Sequence, residues 1–135
     1  MEQTFIEELL TRIPKDPTLT TCRVLLLDAG YPIGNCIYGI RQTQGEVYSI
    51  YVDSRYRKRG FGTILLEKVE KDLKRKGCQR VTLWLHGQGD MSLPEIHSFF
   101  TNLNYKQFSR CYLWLGWISG FTQLVPTLIW MFKDL

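Results

Sequence analysis

The sequence is poor in what metal centres and disulfide frameworks need. It has only two histidines, His86 and His97, with no third ligand at metal spacing. Its four cysteines, Cys22, Cys36, Cys78 and Cys111, include no C-x-x-C pair and suit neither zinc nor a disulfide scaffold. All four read as buried thiols. No secretory leader pattern opens the sequence, so the reducing cytoplasm is the expected compartment. The Walker A pattern G-x-x-x-x-G-K-[ST] and the dinucleotide fingerprint G-x-G-x-x-G are both absent, which excludes the two commonest nucleotide loops. Repeats and low-complexity segments are lacking as well. Charge of either sign disappears between Cys111 and Phe132, a length approaching a membrane span. Gly116, Ser119, Gly120, Thr122, Gln123, Pro126 and Thr127 interrupt that run, so two strands at 112–118 and 124–132 joined by a loop are expected, with no membrane contact. Trp114, Trp117, Phe121 and Trp130 are more aromatic surface than one small sheet edge requires. A homodimer interface or an acceptor-binding wall is the expected use, and a membrane- or partner-associated role for this segment is the alternative.

What is present is one domain's worth of chain, expected to be a single domain over residues 1–135 with a sizeable core. The net charge is +4, and much of it clusters at 55–59 and 68–76. The second cluster interleaves Lys68, Lys71 and Lys74 with Glu67, Glu70 and Asp72, which reads as a solvated helix face. No aromatic stacking motif or recognition-helix pattern accompanies the charge, so nucleic acid is not an expected partner.

Phe5, Ile6, Leu9 and Leu10 recur at helical spacing, predicting a short amphipathic helix near 4–12, ended by Pro14 and Pro17. Residues 21–27 and 33–41 read as a hairpin around Asp28-Ala29-Gly30-Tyr31-Pro32. A turn at 42–45 leads to a strand at 46–52. Leu65, Leu66, Val69 and Leu73 make the buried stripe of a helix over 61–76, with Gly77 as its stop. Val81, Leu83 and Leu85 alternate with Thr82, Trp84 and His86 in the next strand. Ser92 and Glu95 form a capping box for a second helix, with the stripe Ile96, Phe99, Phe100 and Leu103 and a left-handed stop at Asn104. Strand, helix and strand in the middle imply a parallel pair, and the hairpins at both ends imply antiparallel ones. The expected class is α/β (mixed α+β): a mixed, mostly antiparallel sheet with helices on both faces.

The most informative stretch is Arg57-Lys58-Arg59-Gly60-Phe61-Gly62. It lies between the strand ending at Val52 and the helix beginning near Phe61. The first amides of a helix have no partner inside it, and its dipole favours an anion in front of them. Gly60 and Gly62 remove Cβ atoms from the approach, and three cations flank it. The residues therefore read as a phosphate-binding turn.

The pattern formed by Arg57, Gly60 and Gly62 fits R/Q-x-x-G-x-G/A and resembles the pyrophosphate turn of the GNAT acetyltransferase superfamily. The resemblance runs back through Glu46-Val47-Tyr48-Ser49-Ile50-Tyr51-Val52, similar to that family's fourth strand. It continues through Gly77-Cys78-Gln79-Arg80 and the strand after it to Met131-Phe132-Lys133-Asp134-Leu135. It implies a parallel splayed strand pair in the sheet. It implies acetyl-CoA as co-substrate and no metal. The pantetheine arm would pair with backbone at Ile50, Tyr51 and Val52. The pyrophosphate would sit on Arg57, Lys58, Arg59, Gly60, Phe61, Gly62 and Thr63. The implied reaction is acetyl transfer to a primary amine, of a small molecule or a peptide, by direct attack in a ternary complex. No cysteine sits in a context that would activate it for a covalent step.

The resemblance places Glu46 where one branch of the family carries its general base. A solvated acid at a strand start is the competing reading, and Asp53 reads as a turn cap. Aligning Asn104-Tyr105 with the family's Gly-Phe puts Phe100 where a tyrosine commonly protonates the departing thiolate. Phe100 has no proton to give. Ser98, Tyr105 or Tyr112 substitutes, or the thiolate leaves unaided, or the protein is a catalytically silent module that binds acetyl-CoA.

Overall fold

Alternation of apolar and polar residues along the first half of the chain builds strands that pair edge to edge. The computed structural model describes residues 3–10, 19–85, 91–107 and 129–135. The elements run β1 (Gln3–Leu9), β2 (Leu19–Asp28), β3 (Tyr31–Arg41), β4 (Gln44–Val52), a 3-10 turn (Ser54–Tyr56), α1 (Phe61–Arg75), β5 (Arg80–Leu85), α2 (Leu93–Asn102), β6 (Lys106–Gln107) and β7 (Ile129–Asp134). The fold is mixed α/β, with one seven-stranded sheet in the order β1-β2-β3-β4-β5-β7-β6. It is mostly antiparallel with one parallel pair, as the order of elements in the sequence predicts. The chain divides into two compact units, residues 1–81 with Leu135 and residues 82–134.

In the first unit β1 to β4 form an antiparallel meander. The β2–β3 turn places Ala29 (φ 50) and Gly30 (φ 82) in the left-handed region, the two-residue turn whose twist matches a hairpin. Cys22, Val24 and Leu26 of β2, Cys36 and Tyr38 of β3 and Val47 of β4 are buried at alternating positions. α1 packs on these strands with Leu65, Leu66, Val69 and Leu73 buried, as the stripe predicts. Each fully buried leucine contributes about 2 kcal/mol. The helix closes at Gly77 (φ 90), where the Cys78 amide donates to the Leu73 carbonyl at 2.9 Å. Burial raises the Cys36 thiol to about 12, which leaves it inert at neutral pH.

Two expectations are overturned in this unit. The segment near 4–12 is not a helix over its described part. It is the edge strand β1, paired residue for residue with β2 from Gln3↔Asp28 to Leu9↔Cys22. Its apolar spacing fitted a helix, but an open edge of β2 offers the whole segment backbone partners that an isolated short helix cannot match. Asp72 is not part of a solvated face either. It lies in the buried stripe at 1% exposure, one turn beyond Val69. Its Oδ1 accepts from Lys68 Nζ at 3.1 Å and from Arg75 at 2.8 Å, and Lys68 also pairs with Glu7 of β1 at 2.9 Å. The ammonium thus ties the edge strand to the helix. Burial, and after it the neighbouring Glu7, pushes the Asp72 carboxyl above the usual range. Asp72 and then Lys68 hold the Glu7 carboxyl below it.

In the second unit, Leu83 and Leu85 of β5 are buried while Trp84 is exposed and stacks on Trp130 of β7, with ring centroids 4.9 Å apart. Ser92 caps α2, its Oγ accepting from the Glu95 amide at 3.4 Å, and Asn104 (φ 70) takes the left-handed stop. β6 pairs antiparallel with β7 through Lys106↔Phe132 and Gln107↔Met131. The expected strand at 112–118 lies outside the described residues, as do His86, Cys111, Trp114, Trp117 and Phe121. Among the described residues no helix is long and apolar enough to cross a membrane.

A depressed glutamate contributes stability that is present above its unfolded value and lost as pH falls through its folded one. Glu7→Gln should therefore destabilise the protein at neutral pH. The gap to the unchanged protein should close as pH drops below 4.5, the ordinary value for this group. Urea melts of both proteins at about pH 7 and about pH 3 check this, and a gap that persists at the lower pH contradicts it.

Candidate functional site

β4, the loop after it and the first turn of α1 form one continuous path in the first unit. β3 holds β4 in place by direct pairs: Gly39 with Glu46, Cys36 with Ile50, Asn35 with Tyr51 and Gly34 with Val52. The register jumps where Tyr38 pairs with Val47 and Ile37 with Ser49, so Tyr48 is the extra residue of a β-bulge. Bulges bend a strand and re-aim its side chains.

After Val52 the chain turns on Asp53, whose Oδ1 accepts from the Arg55 amide at 3.0 Å and from Arg55 Nε at 3.1 Å. Asp53 is thus the turn cap its position predicts. The hydrogen bond from the Arg55 side chain, followed by that from the Arg55 amide, lowers its carboxyl below the usual range. Arg57 Nε donates to the Val52 carbonyl at 2.9 Å, and its guanidinium lies 5.5 Å from the Tyr51 ring centroid. Arg59 lies 5.7 Å from the Tyr56 ring centroid, and Tyr56 meets the Phe61 ring edge-on at 6.1 Å. The loop's cations are thereby positioned by its own carbonyls and aromatics.

The start of α1 is open to an anion. Gly60 is its N-cap at φ 84 and ψ 3, a left-handed conformation that glycine adopts without steric cost. No side chain caps the helix, and its first turn holds no acidic residue. A Cβ built on Gly60 would meet nothing within 4 Å. Lys58 (φ 61) and Arg59 are exposed beside it. These residues fit a diphosphate: open amides, the positive end of a helix and two cations.

Glu46 stands at the other end of the path, about 13 Å up the strand from Ile50 at the rise of an extended chain. Its Oε2 accepts a hydrogen bond from Tyr48 Oη at 2.9 Å. The structure thus sets Glu46, residues 50–52 and residues 57–63 along one strand–turn–helix path. A carboxylate lies at one end and an uncapped helix N-terminus flanked by cations at the other. Tyr48 was not singled out from sequence. Its signal was its place two residues from Glu46, which on a strand gives the same face.

The sequence profile of the Acetyltransferase (GNAT) family matches residues 3–103. The chain belongs to this family. Over 78 residues it is 30% identical to an acetyltransferase of Sodalis glossinidius, a match covering 58% of this chain and 52% of that protein. The chain thus spans about half the length of that relative. Its fold is similar to that of a PaiA N-acetyltransferase from Thermoplasma acidophilum solved in complex with coenzyme A. The TM-score is 0.64 at 19% identity, covering 84% of this chain and 60% of that one. It is equally similar to an acyl-CoA N-acyltransferase from Klebsiella pneumoniae, at TM-score 0.64 and 15% identity, with 97% of both chains covered. At these identities the structural matches speak to the fold.

The candidate acid positions of this GNAT chain lie in the second unit. Phe100 of α2 is 2% exposed, with its ring 5.0 Å from Phe99 and 5.2 Å from Tyr105. Tyr105 is buried in the same cluster, Ser98 is exposed on α2, and Tyr112 lies outside the described residues. His97 lies on α2, and among the described residues no group of His, Cys, Asp and Glu is placed to hold a metal.

Gly60 separates two effects cleanly. Gly60→Ala adds a Cβ that meets nothing, so it should cost only about 1 kcal/mol for the left-handed backbone and keep measurable acetyl-CoA affinity. Gly60→Glu puts a carboxylate before the helix amides and should abolish acetyl-CoA binding in calorimetry. Binding like that of the unchanged protein would refute the placement of the diphosphate.

Proposed function

We propose that this chain is an acetyl-CoA-dependent N-acetyltransferase that acetylates a primary amine by direct attack in a ternary complex. The observation that carries the reading is the uncapped N-terminus of α1 behind left-handed Gly60, flanked by Lys58 and Arg59, at the end of a strand that carries a carboxylate. Arg57, Lys58, Arg59, Gly60, Phe61, Gly62 and Thr63 would hold the diphosphate. Backbone groups of Ile50, Tyr51 and Val52 would guide the pantetheine arm along β4. The PaiA N-acetyltransferase solved with coenzyme A shares this fold.

Glu46 takes a proton from the acceptor's ammonium, directly or through one water, which frees the lone pair for attack. A carbon–nitrogen bond forms at the acetyl carbonyl, the carbon–sulfur bond breaks, and coenzyme A leaves as the thiolate, which takes up the second proton shed by the acetylated nitrogen. A free thiol pKa near 8.5 makes that departure tolerable without a dedicated acid, consistent with Phe100 at the expected acid position. The protein then contributes positioning and one base, with no covalent enzyme intermediate. Cys22, Cys36 and Cys78 are buried as free thiols, so none of these three is presented as a nucleophile.

The buried aromatic surroundings of Phe100 favour one competing reading, a module that binds acetyl-CoA without turnover. Release of free thiol from acetyl-CoA over a panel of primary amines separates the two. The transferase releases thiol with at least one amine, and the silent module binds acetyl-CoA and releases none. Glu46→Gln should lower kcat roughly 100-fold with little change in acetyl-CoA affinity. Equal loss of both would assign Glu46 a structural role.

A further inference from the structure

A carboxylate at an exposed strand face has three torsions to settle before it points at anything. Glu46 is held by its neighbour. Tyr48, displaced into the bulge of β4, lays its ring across Gly39, the residue paired with Glu46. A Cβ on Gly39 would lie 2.5 Å from Tyr48 Oη and 2.8 Å from Cε2, so the ring occupies the space of the side chain that Gly39 lacks. From there the hydroxyl donates to Glu46 Oε2 at 2.9 Å. Tyr48 remains 38% exposed, so the pair stands at a surface that an acceptor can reach. The same register row continues to Thr21 of β2, which pairs with Gly39 and is 2% exposed. Its hydroxyl has no hydrogen-bond partner among the described residues.

We propose that Tyr48 is a positioning residue for acetyl transfer, its hydroxyl fixing Glu46 Oε2 so that Oε1 faces the acceptor's ammonium. The inference rests on Glu46 being the base. Three features of the chain combine to make the device. The bulge makes Tyr48 the extra residue of β4 while keeping it on the face of Glu46, Gly39 leaves the room, and the cross-strand pair sets the carboxylate beside it. The hydroxyl gives its hydrogen bond to one carboxylate oxygen and leaves the other to accept the proton. Catalytic geometry then depends on a residue that touches neither the diphosphate nor the thioester.

The test uses the full chain, acetyl-CoA and three amines (spermidine, lysine methyl ester and an alanine-led tripeptide), with free thiol as the readout. Tyr48→Phe keeps the ring and should lower kcat roughly tenfold while the KM for acetyl-CoA holds. Gly39→Ala pushes only the far end of the Tyr48 side chain and should reproduce that loss in a protein that still melts cooperatively. In the Glu46→Gln background, Tyr48→Phe should cost nothing more, because its effect passes through the carboxylate. Full activity in Tyr48→Phe while Glu46→Gln is slow overturns this inference alone. So does a Tyr48→Phe loss that adds in full to that of Glu46→Gln. Unchanged kcat in Glu46→Gln overturns the assignment of the base, and thiol release with no amine overturns the transferase reading; the inference falls with either.

Discussion

Everything the site does depends on how the backbone passes from β4 into α1. An α-helix leaves its first amides without partners, and most helices cover them with a serine, threonine or aspartate side chain. Here the N-cap is Gly60 in the left-handed region, and no side chain covers the opening. Asp53, the nearest acid in the loop, is spent on Arg55. Arg57 is bound back to the Val52 carbonyl, so the loop braces itself against the strand it follows. The result is a positively charged turn at the end of a strand, leading into a helix N-terminus that no side chain caps. α1 can afford an open N-terminus because its stripe of buried leucines holds it on β2, β3 and β4.

The same helix carries the least expected polar feature of the chain. Asp72 sits in the apolar stripe, where burial alone would make a carboxylate costly. Lys68 offsets that by reaching both Asp72 and Glu7, so one ammonium joins helix and edge strand. Lys68 also lies 5.9 Å from the ring centroid of Phe5. The edge strand is therefore registered by charge as well as by its pairing with β2, where Arg23 and Glu8 form a further cross-strand pair. This matters for the site because β1 to β4 are a single meander, and the position of Glu46 follows from every register along it.

Much of the fold was legible because its signals are local. The hairpin turn at Ala29-Gly30, the α1 stripe, the Gly77 stop, the Ser92 cap and the Asn104 stop each depend on a few adjacent residues. The open glycine turn before α1 was legible for the same reason, since an R-x-x-G-x-G run between a strand and a helix dictates its own geometry. The N-terminal segment was misread because Phe5, Ile6, Leu9 and Leu10 recur at helical spacing, whereas a strand splits them between its two faces. Only an unfilled edge on β2, a segment distant in sequence, decided for the strand. Asp72 was misread because charge interleaving suggested solvent, while its place one turn after Val69 put it on the buried face.

By itself, the sequence determined the end of this protein proposed to hold the cofactor: the glycine turn, the cations and the helix behind them are contiguous, and neighbouring residues need no help to meet. It also determined which helix positions face inward, through spacing alone. Tertiary structure decided the end proposed for catalysis. The bulge that displaces Tyr48, the empty place at Gly39 and the pairing that sets Glu46 beside it arise only when β3 and β4 align. A bulge is a mismatch between two strands, and neither strand encodes it alone.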